Sequence, residues 1–111
     1  MKSFGFTLNL RDDPEVIASY KEYHRRVWPD VEKTLRNLGV RKFRIFLHGR
    51  RLFLYMETVQ PYDAATFQAE YMKDPKAAEW ERLMRDGFQE PLPGSQPGEW
   101  WSAMEPVYAL D

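Results

Sequence analysis

Cysteine is absent from all 111 residues, which removes disulfides, thiol nucleophiles and thiolate metal ligands and leaves stability to packing alone. No run approaches the roughly 20 apolar residues that span a bilayer. Met1 to Leu10 lacks the apolar length and small-residue cleavage site of a secretion signal, so a cytoplasmic protein without membrane association is expected. Neither sign of charge dominates: 16 Lys plus Arg stand against 17 Asp plus Glu, net charge -1. Such a chain has no general field to attract nucleic acid, and no nucleic-acid partner is expected. The six glycines never cluster as in a phosphate-binding loop, and no serine sits in a nucleophile-elbow context. Two histidines without cysteine make a poor metal signal, so no metal is expected.

The chain does have bulk. Hydrophobic residues reach 43%, enough for a folded core, although abundant charge and polar-tipped rings pull the mean hydropathy down to -0.65. Four Trp, six Tyr and seven Phe make 15% aromatics, and large rings with polar tips often line pockets and interfaces. The length suits one domain, residues 1–111.

Phe4, Phe6 and Leu8 alternate with polar or small neighbours, a period of two that predicts a strand. Asp12, Asp13 and Pro14 supply a helix start, because aspartate caps free amides and proline is pre-set for the first turn. Ile17, Tyr20, His24, Val27, Trp28 and Val31 then recur at spacings of three and four. Pro29 should break this helix near Val27 or Trp28, with a second piece from Asp30 to about Leu38 and a stop at Gly39. Val40–His48 and Arg51–Val59 read as a hairpin around Gly49. Both of its faces carry large apolar groups, which a sheet with one watery side would avoid.

Pro61–Met72 predicts a weaker helix capped by Asp63. Asp74 and Pro75 open a clearer one through Ala78, Trp80, Leu83 and Met84 to Gly87. Residues 90–99 hold three prolines and two glycines and read as a loop, while Val107, Tyr108 and Leu110 suggest a last short strand. The order βαββαβ is the ferredoxin-like α+β arrangement, an antiparallel sheet with its helices on one face. The bare face needs a cover for Phe46, Phe53 and Tyr55 or their neighbours, and a homodimer is expected.

His24 stacks with Tyr20 and Trp28 at helical spacing. A packed, hydrogen-bonded histidine is the ordinary account of such a position. The sharper one notes that imidazole titrates near neutrality and that aromatic walls hold flat apolar ligand faces such as those of sugars. His48, at a strand end beside a turn, reads as a surface residue. Trp80 reads as core. Of the adjacent Trp100 and Trp101, at least one should point away from its neighbour's packing, toward a pocket rim or a partner.

The run Tyr20, Tyr23, His24, Arg25, Val27, Trp28, Pro29 resembles the L-rhamnose mutarotase family. The likeness extends through Leu38 and Gly39, Phe43, Ile45 and Leu47, Leu52, Phe53 and Glu57, Trp80 and Met84, to Val107 and Tyr108. It implies a dimeric α/β-barrel and a cofactor-free enzyme that interconverts the α and β anomers of a 6-deoxy-L-hexose, L-rhamnose or L-fucose. It also implies that His24 is the acid/base group, that Tyr20 lies beside it, and that Trp80 lines the sugar site; with these in place, Phe43 and Trp28 are expected to complete its walls. Three departures bear on which sugar is taken. Phe43 stands where a tyrosine is frequent, Glu81 where a second tryptophan is common, and Pro91 to Trp101 replaces an asparagine-rich segment. Competing readings are a ferredoxin-like oxygenase or haem-handling protein, and a non-catalytic metabolite-binding module.

Overall fold

The computed structural model describes residues 1–59 and 61–111. Strand β1 (Lys2–Leu10) pairs antiparallel with β3 (Arg51–Thr58), which pairs with β2 (Val40–His48) through the expected hairpin. Gly49 turns that hairpin with a φ of 62°, a left-handed conformation open to glycine without cost. Two short strands, β4 (Gln89–Glu90) and β5 (Ser102–Ala103), both lie on the free edge of β1, giving the order β2-β3-β1-β4 with β5 beside β4's place. The antiparallel α+β architecture with ferredoxin-like strand order is therefore present.

Register decides which face meets the helices. Phe4, Phe6 and Leu8 of β1 stand opposite Met56, Leu54 and Leu52 of β3, which in turn oppose Phe43, Ile45 and Leu47 of β2. Leu8, Leu52, Leu54 and Met56 are buried, so this is the helix-covered face. The alternate positions, Phe46, Phe53 and Tyr55 among them, form the open face. Phe46 is 55% exposed and its ring stacks on Phe53 with centroids 5.9 Å apart. Sequence alternation alone had left open which face was which.

The helices are α1 (Pro14–Tyr23), α2 (Pro29–Asn37), α3 (Ala64–Tyr71) and α4 (Pro75–Gly87). Aspartates cap three of them as expected: Asp13 accepts from the Glu15 amide, Asp63 from Thr66 and Asp74 from Ala77. The first break falls earlier than the spacing predicts. α1 stops at Tyr23, and Trp28, preceding Pro29, is extended (φ -59°, ψ 133°) as its place before proline requires. The chain tightens instead through Arg25 N–H to Glu22 and Arg26 N–H to Tyr23 bonds, and α2 restarts at Pro29. Gly39 ends this stretch with a φ of 94°. A Cβ there would lie 2.6 Å from Val59 Cγ2, so both conformation and space select glycine.

The expected strand at Val107–Leu110 does not form. The last pairing is β5, extended by the Met104 amide donating to the Gly5 carbonyl at 2.8 Å. Pro106 then follows with no N–H to continue the ladder. Val107, Tyr108 and Leu110 are 93%, 79% and 84% exposed. The proline-rich segment is thus an excursion between β4 and β5, two pieces of one edge position. Among the described residues no helix is long and apolar enough to cross a membrane.

Candidate functional site

A cavity of about 410 Å³ lies between the helices and the covered face of the sheet, within the usual size range of small-molecule sites. All four helices and strands β2 and β4 contribute to it. The C-terminal end of α1 supplies Tyr20 and His24, α3 supplies Tyr71, and α4 supplies Trp80, Glu81 and Met84. Phe43 and Ile45 come from β2, Gln89 from β4, and Trp101 from the excursion. Glu32, Arg36 and Arg41 add charge to the lining.

The α-helical four-residue spacing puts the imidazole of His24 on the ring of Tyr20, with centroids 4.1 Å apart and planes tilted by 31°. His24 Nδ1 lies 2.8 Å from the Tyr20 carbonyl oxygen. A carbonyl only accepts, so Nδ1 carries the proton and donates it, which leaves Nε2 of the neutral ring as a proton acceptor. Burial pushes the imidazole below its usual range, a shift partly opposed by that backbone bond, so the neutral form prevails at pH 7. The rings of Trp80 and His24 meet T-shaped, with centroids 5.4 Å apart.

Of the residues expected at the site, Tyr20, His24, Phe43 and Trp80 all line this cavity. Trp28 does not. Its ring packs T-shaped on Trp80 with centroids 5.0 Å apart, outside the cavity lining, at the N-terminus of α2. His48 ends β2 as an exposed residue outside the lining, the surface position its turn context predicts. Trp101 lines the cavity, while Trp100 lines an adjoining one of about 290 Å³ and lies under the Arg85 guanidinium at 5.6 Å.

Two polar groups in the lining had no functional reading from the residues alone. Glu81 is nearly enclosed, with its side chain 17% exposed, and accepts at 3.0 Å from Arg85 Nε. Burial raises its carboxyl above the ordinary range, against the pull of Arg85. Its charge in turn joins burial in pushing the Tyr20 and Tyr71 hydroxyls upward, so both phenols stay protonated. Gln89 is 4% exposed and its Oε1 has no hydrogen-bond partner among the described residues. A helical wheel marks Glu81 only as the neighbour of Trp80, and Gln89 belongs to a strand too short to show a period. Among the described residues no group of three or more His, Asp or Glu side chains is arranged to hold a metal ion.

The model of the L-rhamnose mutarotase family matches residues 3–110. A UPF0734 protein of Dictyostelium discoideum is 44% identical over 114 residues, covering 99% of this chain and 90% of its own. An L-fucose mutarotase of Xanthomonas campestris is 39% identical over 112 residues, covering 99% of this chain and 89% of its own. Among solved structures, the L-rhamnose mutarotase of Formosa agariphila superposes over 100% of both chains with a TM-score of 0.74 at 18% identity, a likeness of fold.

Proposed function

The chain belongs to the L-rhamnose mutarotase family, isomerases that act on sugars, and we propose that it interconverts the anomers of a 6-deoxy-L-hexose, L-fucose ahead of L-rhamnose, with His24 as proton carrier. The whole-chain match of the family model favours this over a haem-handling, oxygenase or purely binding role. L-fucose is put first because a relative aligned over 99% of the chain carries that name, and L-rhamnose second because the family model carries it.

The observation that carries the assignment of His24 is its tautomer: Nδ1–H is tied to the Tyr20 carbonyl, and the neutral ring keeps Nε2 for the substrate in an aromatic cavity. Mutarotation needs little more. A base takes the proton of the anomeric hydroxyl, the ring C–O bond breaks as its oxygen is protonated, the aldehyde turns about the C1–C2 bond, and closure reverses the steps. Trp80 and Phe43 wall the sugar, with Trp28 packed on Trp80 outside the lining, and Tyr20 holds the imidazole at its angle. Saturation-transfer NMR on anomeric mixtures tests the reading. L-fucose should show enzyme-dependent exchange exceeding that of L-rhamnose, and a protein that binds both sugars without accelerating exchange would be a binding module.

The working form in this reading is a homodimer closed through the open face, the dimeric α/β-barrel that the sequence resemblance implies. The exposed Phe46 and Phe53 pair supports it, since an apolar aromatic patch on a sheet face is a usual interface core. Phe46→Glu buries an unpaired charge in such an interface, at a cost of about 3–5 kcal/mol. Analytical ultracentrifugation should therefore find a dimer for the parent chain and a dissociation constant raised by more than about 100-fold for the variant. A monomeric parent chain would end this part of the reading.

A further inference from the structure

Opening a hemiacetal takes two proton transfers, one from the anomeric hydroxyl and one to the ring oxygen, and a single imidazole at one position meets only the first directly. We propose that Glu81 is the second proton-transfer group, acting with His24 on the same bound sugar; the assignment rests on the mutarotase reading. Glu81 follows Trp80 on α4, and both residues line the cavity that His24 enters from α1. Arg85 Nε occupies one carboxyl oxygen of Glu81 at 3.0 Å, and the other has no hydrogen-bond partner among the described residues. Gln89 borders the same cavity, and its side-chain amide bonds the Tyr20 hydroxyl beside His24. Glu81 thus sets a carboxyl group beside the aromatic wall formed by Tyr20, His24 and Trp80.

Proton and electron bookkeeping closes without another reactant. His24 Nε2 takes the anomeric proton as C1–O1 becomes a carbonyl. The C1–O5 bond pair goes to the ring oxygen, which receives the Glu81 proton, and Arg85 stabilises the carboxylate left behind. Reclosure on the other face of the aldehyde returns the proton from O5 to Glu81 and the imidazolium proton to O1. Burial moves the two groups toward each other, His24 down and Glu81 up, which narrows the gap between base and acid. Arg85 pairs with Glu81 on its own helix, Tyr20, Tyr71, Glu32, Arg36 and Arg41 are the other ionisable groups lining the cavity with Glu81 and His24, and the two phenols are pushed upward.

The test uses the full-length protein and L-fucose or L-rhamnose, whichever the parent enzyme exchanges. Its rate against pH should fall on both sides of a maximum, as protonation of His24 and loss of the Glu81 proton each inactivate the pair. Glu81→Gln should lower the exchange rate by about 100-fold or more and remove the alkaline limb. Glu81→Ala should recover part of its rate in added formate, which a merely structural carboxylate would not permit. A parent enzyme with one limb only, a Glu81→Gln rate within threefold of the parent, or a slowed variant that keeps both limbs overturns the assignment. Absence of exchange by the parent on every 6-deoxy-L-hexose overturns instead the function on which it rests.

Discussion

Replacing His24 by alanine is expected to reduce catalysed anomer exchange by about 10² to 10⁴, to the level of the uncatalysed reaction, while the fold survives. His24 is only half-buried and caps α1 through its backbone, so truncation removes a ring from a cavity lining rather than from the centre of the core. Near-UV circular dichroism and NMR exchange on the same sample separate the two effects. The pH dependence has a defined sign. Because burial lowers the folded imidazole below 6.5, the acid-side decline of the parent rate should set in only below that value. Folding stability runs in parallel: the unfolded chain takes up the proton near 6.5 and the folded one resists, so stability falls with pH through 6.5 and levels off below the folded value. His24→Ala should abolish both dependences.

Trp80→Ala should destabilise the protein by about 3–5 kcal/mol, the usual cost of deleting a large aromatic side chain from a core. Trp80 is 5% exposed, belongs to the central cluster with Leu8, Leu10, Leu52 and Met84, and braces His24, Tyr23 and Trp28 edge-on. In a domain of this size that loss lowers Tm by roughly 12–40 °C, readable by calorimetry. Trp80→Phe keeps a ring but not its reach, and it should raise KM more than it lowers kcat. An unchanged Tm for Trp80→Ala would mean that the helices and sheet do not pack through this ring.

Local signals in the sequence were sufficient wherever a local cause acts. Asp13, Asp63 and Asp74 each precede a helix, and the caps follow from hydrogen bonds spanning two or three residues. The strand alternation gave the face partners correctly, and the i, i+4 spacing gave the contact between Tyr20 and His24. Legibility failed where the cause is tertiary. Whether the edge of β1 pairs with residues 102–103 or with 107–110 depends on where the 91–101 excursion returns, and the exposed Val107 and Tyr108 carry the same strand-like residues as a real strand. Trp28 fell on the predicted apolar stripe, yet α1 ends at Tyr23, and across the break Trp28 packs on Trp80 outside the cavity lining. Glu81 and Gln89 enter the cavity because α4 and β4 converge there, and no spacing in the chain brings them to Tyr20 and His24.

A crystal structure with bound L-fucose, or L-rhamnose if that is the sugar exchanged, tests the proton-carrier claim most directly. The account predicts the sugar ring against Trp80 and His24 Nε2 within about 2.6–3.2 Å of the anomeric or ring oxygen. A sugar seated elsewhere, with the imidazole sealed from it by protein, would contradict the account.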